Sequence, residues 1–139
     1  MVKRGRVVEK IKWIKRHLDA RGKGTWSYDY PNDVLQFGVK DQNYDTSIEM
    51  GNIIVDFNPE DYIIGLRIMD ASKVFKISRY VLSHIRGFEF NAMVENRTIT
   101  IQLSMTYLVR NHEVSQPAMN FIRDAVNQNL QNSQAIATA

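Results

Sequence analysis

Four carboxylates lie close together in GNIIVDFNPEDYIIGLRIMDAS, residues 51 to 72: Asp56, Glu60, Asp61 and Asp70. Two carboxylates brought together bind a hard cation such as magnesium or calcium, or share a raised pKa. A metal-dependent enzyme would draw on Asp56 and Asp70 for this chemistry. The surrounding residues favour a structural reading. Glu60 and Asp61 follow Pro59 as turn residues, Asp70 is placed to cap the turn at Asp70-Ala71-Ser72, and Asp56 is placed to pair with Arg67 on the adjacent strand. His17, His84 and His112 fall in three different predicted elements and lack a paired spacing such as H-E-x-x-H. The seven glycines are scattered and form no phosphate loop, and no serine sits in a G-x-S-x-G elbow. The sequence therefore names no catalytic residue, no metal ligands and no cofactor, and leans away from an enzyme.

The densest charge is at the start of the chain. Residues 1 to 24 hold nine cations, Lys3, Arg4, Arg6, Lys10, Lys12, Lys15, Arg16, Arg21 and Lys23, against Glu9 and Asp19. The other 115 residues hold nine basic and thirteen acidic side chains. Val7, Ile11, Ile14 and Leu18 make one apolar stripe at helical spacing, which predicts a helix from about Arg6 to Ala20 ended by a left-handed Gly22. Cations on such a helix contact phosphates and gain affinity by releasing counterions, and Trp13 or Trp26 would stack on a base or sit at a membrane surface. The nine cations and Trp13 are thus the candidate nucleic-acid contacts. The competing reading is a helix docked on a sheet, with its cations simply solvated.

From Trp26 onward the apolar period is two. Val34–Val39, Thr46–Met50, Ile53–Phe57 and Tyr62–Met69 read as strands joined by turns at Gly51-Asn52 and Asn58–Asp61. Two more strands follow, Phe88–Val94 and a run with Ile99, Ile101, Leu103, Met105 and Tyr107 inward. Between the two groups of strands, a short helix is predicted from about Ser78 to Ile85. Ser115, Pro117 and the spacing of Met119, Ile122 and Val126 predict a carboxy-terminal helix. The tail 131–139 reads as frayed. The outward row Thr98, Thr100, Gln102, Ser104 and Thr106 carries no charge, so a helix, a ligand or a second subunit is expected to cover it, with a homodimer the form to test.

The expected fold class is α+β: an antiparallel sheet of about six strands with an amino-terminal basic helix, a middle helix and a carboxy-terminal helix. At 139 residues this is a single domain. Its parts are the basic segment 1–24, a meander over 26–75, a helix, hairpin and helix over 78–130, and the tail. An apolar fraction of 44% and a charged fraction of 24% suit a globular protein. The lack of cysteine excludes disulfides and thiolate metal sites and points to a reducing cytoplasm. The apolar runs are too short to span a membrane, and the charged start lacks the apolar core of a signal peptide.

YDYPNDVLQFGV and IEMGNIIVDFNPEDYIIGLRIMDAS resemble the domain-of-unknown-function family 2283 over about residues 28 to 75. Tyr28, Asp29, Asp33, Leu35, Glu49, Gly51, Val55, Asp56, Gly65, Ile68, Asp70, Ala71 and Ser72 fall on its pattern. Arg67 stands where that pattern has Glu, which favours an Asp56–Arg67 pair over a shared carboxylate site. Pro59 and Asp61 replace an Asp-Gly type of turn. The resemblance implies a small β-rich domain with no established reaction, and some members look like half of a toxin–antitoxin-like gene pair.

The leading expectation is a non-enzymatic binding protein, a homodimer whose basic helix contacts nucleic acid. A protein-interaction module that docks an acidic partner is the alternative, and an enzyme using Asp56 and Asp70 ranks last.

Overall fold

The computed structural model describes residues 15–124 and 129–139. Ten strands follow one another: β1 (His17–Ala20), β2 (Gly24–Asp29), β3 (Val34–Val39), β4 (Thr46–Met50), β5 (Ile53–Phe57), β6 (Ile63–Ile68), β7 (Ile85–Glu95), β8 (Thr98–Val109), β9 (His112–Asp124) and β10 (Ser133–Thr138). Two single-turn helices, α1 (Ala71–Phe75) and α2 (Arg79–Leu82), link β6 to β7. One sheet is ordered β1-β10-β7-β8-β9, the other β2-β3-β6-β5-β4. Among the described residues only β1 with β10 is a parallel pair; the other pairings are antiparallel. The second sheet is therefore one unbroken stretch of chain, and the first is assembled from both ends.

Alternation explains how the sheets meet. Leu35 and Phe37 on β3, Ile53, Val55 and Phe57 on β5, and Leu66 and Ile68 on β6 are all buried. They share one cluster with Phe88, Phe90, Ala92 and Val94 on β7 and with Ile99, Ile101, Leu103 and Met105 on β8. Phe37 meets Phe88 with ring centroids 4.5 Å apart, and Trp26 closes the margin edge-on to Phe88 at 6.2 Å.

The expected α+β class is overturned: the described chain is mostly strand, and its two helices are single turns. Residues 17–20, expected to end a basic helix, form β1, because their backbone pairs with β10 from the far end of the chain. Residues 6–14 of that predicted helix lie outside the described residues. Gly22 is left-handed at φ +78°, but it turns β1 into β2 rather than capping a helix. The middle segment keeps only one turn, with Ser78 Oγ accepting from the Val81 N–H, and Ile85 already belongs to β7.

The segment expected as a carboxy-terminal helix is β9. Leu103 lies opposite Met119 and Met105 opposite Gln116, so Pro117 and Ala118 bulge against Ser104 alone. A bulge on an edge strand accommodates proline, which has no N–H to pair. It also shifts the alternation, so that Val114, Gln116, Met119 and Phe121 share the inner face, while Ile122, opposite Thr100, faces outward; the stripe that Met119 and Ile122 suggested does not exist. Val126 lies outside the described residues.

The tail is not frayed. It supplies β10, with Ala135 and Ala137 buried between β1 and β7. Alanine suffices here because the neighbouring positions carry the bulk: Ala137 lies beside Phe90, and Phe88 on β7 reaches the second sheet.

Gly24 sits where the sheets come closest. A Cβ there would fall 2.6 Å from Phe88 Cζ and 2.8 Å from the Thr138 carbonyl oxygen. Gly24→Ala is expected to destabilise by about 1–3 kcal/mol in urea unfolding. Gly38→Ala, whose Cβ would meet only Thr25 Oγ1 at 3.3 Å, should cost clearly less. Equal losses would show that the contact at Gly24 does not limit sheet packing.

Candidate functional site

The most constrained polar group is Asp33, in the turn between β2 and β3. It takes φ +55° and is 2% exposed. Its Oδ1 accepts from Tyr28 Oη at 2.6 Å and from the Ser72 N–H at 3.0 Å, and its Oδ2 accepts from Ser72 Oγ at 2.6 Å. Arg79 Nε lies 3.9 Å from Oδ2, and the Asp33 carbonyl accepts from the Ala71 N–H at 3.0 Å. Asp33 thus satisfies the opening N–H groups of α1 from 39 residues away. Asp70 holds the N-cap position, in a left-handed conformation, but makes no side-chain cap bond.

Burial on its own would raise the Asp33 carboxyl pKa, but the hydrogen bonds from Ser72 and Tyr28 outweigh it and hold the group below its ordinary value. The Tyr28 phenol is pushed up, first by burial and then by its bond to Asp33.

A second network lies on the outer face of the second sheet. Arg67 Nη2 donates to Asp56 Oδ1 at 2.7 Å, and Arg67 Nε donates to Oδ2 at 3.2 Å. Ser47 Oγ donates to Asp56 Oδ1 at 2.7 Å and meets Tyr44 Oη at 2.6 Å. The expected Asp56–Arg67 pair therefore forms. Gly65 lies opposite Asp56 and leaves room for the carboxylate to lean across it. The hydrogen bond that Arg67 donates to Asp56 raises the Arg67 pKa, with burial working against it. Asp56 and Asp70 are not brought together. They lie toward opposite ends of β6, a separation of about 16 Å at a strand rise of about 3.3 Å per residue.

Four of the opening cations, Lys15, Arg16, Arg21 and Lys23, are among the described residues. Lys3, Arg4, Arg6, Lys10, Lys12 and Trp13 lie outside the described residues. Arg16 lies over the Tyr62 ring at 4.5 Å and donates to the carbonyls of Glu60 and Asn132. Arg21 forks onto Asp19, with Nη2 2.7 Å from Oδ2 and Nε 2.9 Å from Oδ1. Its side-chain hydrogen bond holds the Asp19 pKa down to about 2. Lys15 and Lys23 are exposed, as is Arg21 in its surface pair with Asp19. The three histidines stay apart: His17 on β1, His84 after α2 and His112 opening β9. Among the described residues no three His, Cys, Asp or Glu side chains are grouped as a metal site.

The remaining candidate is the outer face of the first sheet. Register places His17, Gln134, Met93, Thr100 and Ile122 in one row and Asp19, Ile136, Asn91, Gln102 and Asn120 in the next. Gln134 Nε2 donates to Asn91 Oδ1 at 3.1 Å, tying β10 to β7. A cavity of about 300 Å³ opens between Asn91, Gln102, Ser104 and Ile136, and one of about 370 Å³ lies beside it between Ser104, Thr106 and Thr138. The sequence foretold the hydroxyl row on β8. It missed Gln134, Ile136 and Asn120, because the first two belong to a tail read as frayed and the third to a segment read as helix. It also missed the role of Asp33, although Tyr28, Asp33 and Ser72 all fall on the resemblance pattern.

A family model described as a protein of unknown function (DUF2283) matches residues 26–72, which run from β2 to the first turn of α1. A Methanosarcina mazei protein, provisionally named a hypoxanthine phosphoribosyltransferase, is 31% identical over 91 residues, 66% of this chain and 74% of that protein. An uncharacterised Methanocaldococcus jannaschii protein is 27% identical over 88 residues, 63% of this chain and 76% of its own length. No solved structure matches.

Asparagine tolerates the left-handed conformation at position 33, so Asp33→Asn isolates the loss of charge. The substitution is expected to cost about 1–3 kcal/mol near neutral pH. The folded carboxyl titrates below the unfolded one, so its stabilisation is complete above about pH 4 and is lost as pH falls through the folded value. The variant should therefore show a flatter acid limb in urea unfolding measured at a series of pH values. An unchanged limb would remove Asp33 as the group that senses acid.

Proposed function

The chain belongs to the DUF2283 family of proteins of unknown function, and on that premise we propose that it is a binding module that docks a protein surface, in the first place a second copy of itself, on the outer face of the β1-β10-β7-β8-β9 sheet. The observation that carries this reading is the uncharged centre of that face. Thr100, Gln102, Asn91, Met93 and Ile136 occupy the middle, while Asp19, Arg21, Glu89 and Asp124 stand around them. A neutral core within a charged rim is the anatomy of protein interfaces. Strands β7, β8 and β9 hold 11, 12 and 13 residues. With the two short strands, ordinary strand spacing gives a face on the order of 700 Å², near the roughly 800 Å² per partner of a standard interface.

Binding is favoured over catalysis by how the carboxylates are used. Asp33 and Asp56 each accept several hydrogen bonds from neighbours that hold the fold. The enzyme name given to the Methanosarcina mazei relative is not carried over. Gly22 and Gly51, the positive-φ glycines among the described residues, stand singly in strand-to-strand turns rather than in a phosphate loop opening a helix. The reading of the opening cations as a nucleic-acid helix is not retained either, since Arg16 and Arg21 hold partners within the fold.

Sedimentation equilibrium should give twice the chain mass of 16.1 kDa. Thr100→Lys with Gln102→Lys should give a monomer with nearly unchanged melting temperature, since both side chains lie on the outer face. A wild-type protein that stays monomeric up to roughly 0.1 mM, the weak end of specific association, or a double variant that keeps the dimer mass, would overturn the assignment.

A further inference from the structure

Away from the first sheet's outer face, the crossover between the sheets concentrates cations and exposed rings. Residues 71–88 hold Lys73, Lys76, Arg79 and Arg86 and no Asp or Glu. Lys73, Lys76 and Arg86 are exposed and have no ion-pair partner among the described residues. Arg86 is the extra residue of a bulge, since Ile85 pairs with Tyr107 and Gly87 with Thr106, and a bulge re-aims its side chain.

Two tyrosines accompany these charges. Tyr80 on α2 is 68% exposed, with its ring tilted by 40° against the His84 ring at 4.5 Å, and His84 Nδ1 lies 2.7 Å from the Tyr80 carbonyl oxygen. Tyr30, in the turn between β2 and β3, is 51% exposed. Arg79 joins the two elements. Its Nη1 donates to the carbonyls of Tyr30 at 3.1 Å and Pro31 at 3.2 Å, while its Nε faces the buried Asp33 carboxylate. Asn32 Nδ2 donates to Asp29 Oδ2 at 2.9 Å, fixing the turn further. The turn that carries Tyr30 is thus fixed at its backbone, its ring meets Tyr28 edge-on at 6.2 Å, and the Tyr80 ring rests against His84.

We infer that this surface binds single-stranded nucleic acid, with bases stacked on Tyr30 and Tyr80 and phosphates met by Lys73, Lys76 and Arg86. Aromatic faces interleaved with cations make a sequence-tolerant platform for unpaired bases. A duplex groove calls for a different device: α1 and α2 have only five and four residues, too short to lie in a major groove. An acidic peptide would use the cations but gain little from two upright rings. Arg79 is a positioning residue, since its guanidinium is committed to the turn. The site is independent of the dimer face, so Thr100→Lys with Gln102→Lys is expected to raise or preserve this binding rather than abolish it.

The test is fluorescence anisotropy of the full chain with a labelled oligothymidylate of about 12 nucleotides, titrated over a range of salt. Three phosphate contacts predict a log–log salt slope near −2 from this surface, added to any slope from the opening residues. Tyr30→Ala with Tyr80→Ala should weaken binding by about tenfold or more with the slope unchanged. Lys73→Ala with Arg86→Ala should flatten the slope by about one to two. Failure to bind, tyrosine variants that bind like wild type, a duplex that binds as tightly, polyglutamate that competes equally, or binding lost only on removing residues 1–14 would each overturn the assignment.

Discussion

A buried carboxylate must be surrounded by donors or it does not stay ionised, and the crossover between the two sheets is organised around that requirement at Asp33. The donors that satisfy it come from β2 (Tyr28) and the start of α1 (Ser72), and Arg79 of α2 approaches it. Meeting the need of one oxygen pair therefore fixes where the chain leaves the second sheet and how it enters the first. The same residue supplies what a helix of one turn cannot supply itself, partners for its opening N–H groups: the carboxylate accepts from Ser72 and the backbone carbonyl from Ala71. Asp70, the residue at the N-cap position, leaves that task to the residue across the fold.

The second constraint is the distance between the sheets. Phe37 and Phe88 fill the space between β3 and β7, and the neighbouring strands must then carry little: Gly24 on β2, Ala20 on β1, Ala135 and Ala137 on β10. Bulk in one layer and near absence of it in the next is how a close-packed interior is filled without voids. It also lets a chain end of low apolarity become an interior strand of the first sheet.

Function divides along the same line. The region matched by the family model, 26–72, is essentially the second sheet with its exit into α1, and its polar groups are largely engaged in holding that sheet together. The neutral outer face belongs to the first sheet, beyond the family match, and the cationic, tyrosine-bearing crossover connects the two. The matched segment thus serves largely as scaffold, with Tyr30 exposed in its first turn, while the neutral face and most of the crossover lie outside it. No helix among the described residues is long and apolar enough to cross a membrane.

What could be read from the chain alone was local and periodic. The strands from Val34 to Ile68, the inward row of β8 and its neutral outward row follow from period two, because every second side chain must face the core. The Asp56–Arg67 pair followed from adjacent strands and opposite charge. Long-range pairing hid the rest. Residues 17–20 become a strand only because β10 arrives alongside, and β10 exists only because its alanines fit beside Phe90. Residues 112–124 lose their visible alternation to the bulge at Pro117 and Ala118. Asp33 reads as one turn residue among several until the fold carries Ser72 to it across 39 positions. Sequence determines what a segment can bury by itself; which distant backbone completes its hydrogen bonds, and which small side chain fits beside a large one, is decided only when the two sheets close.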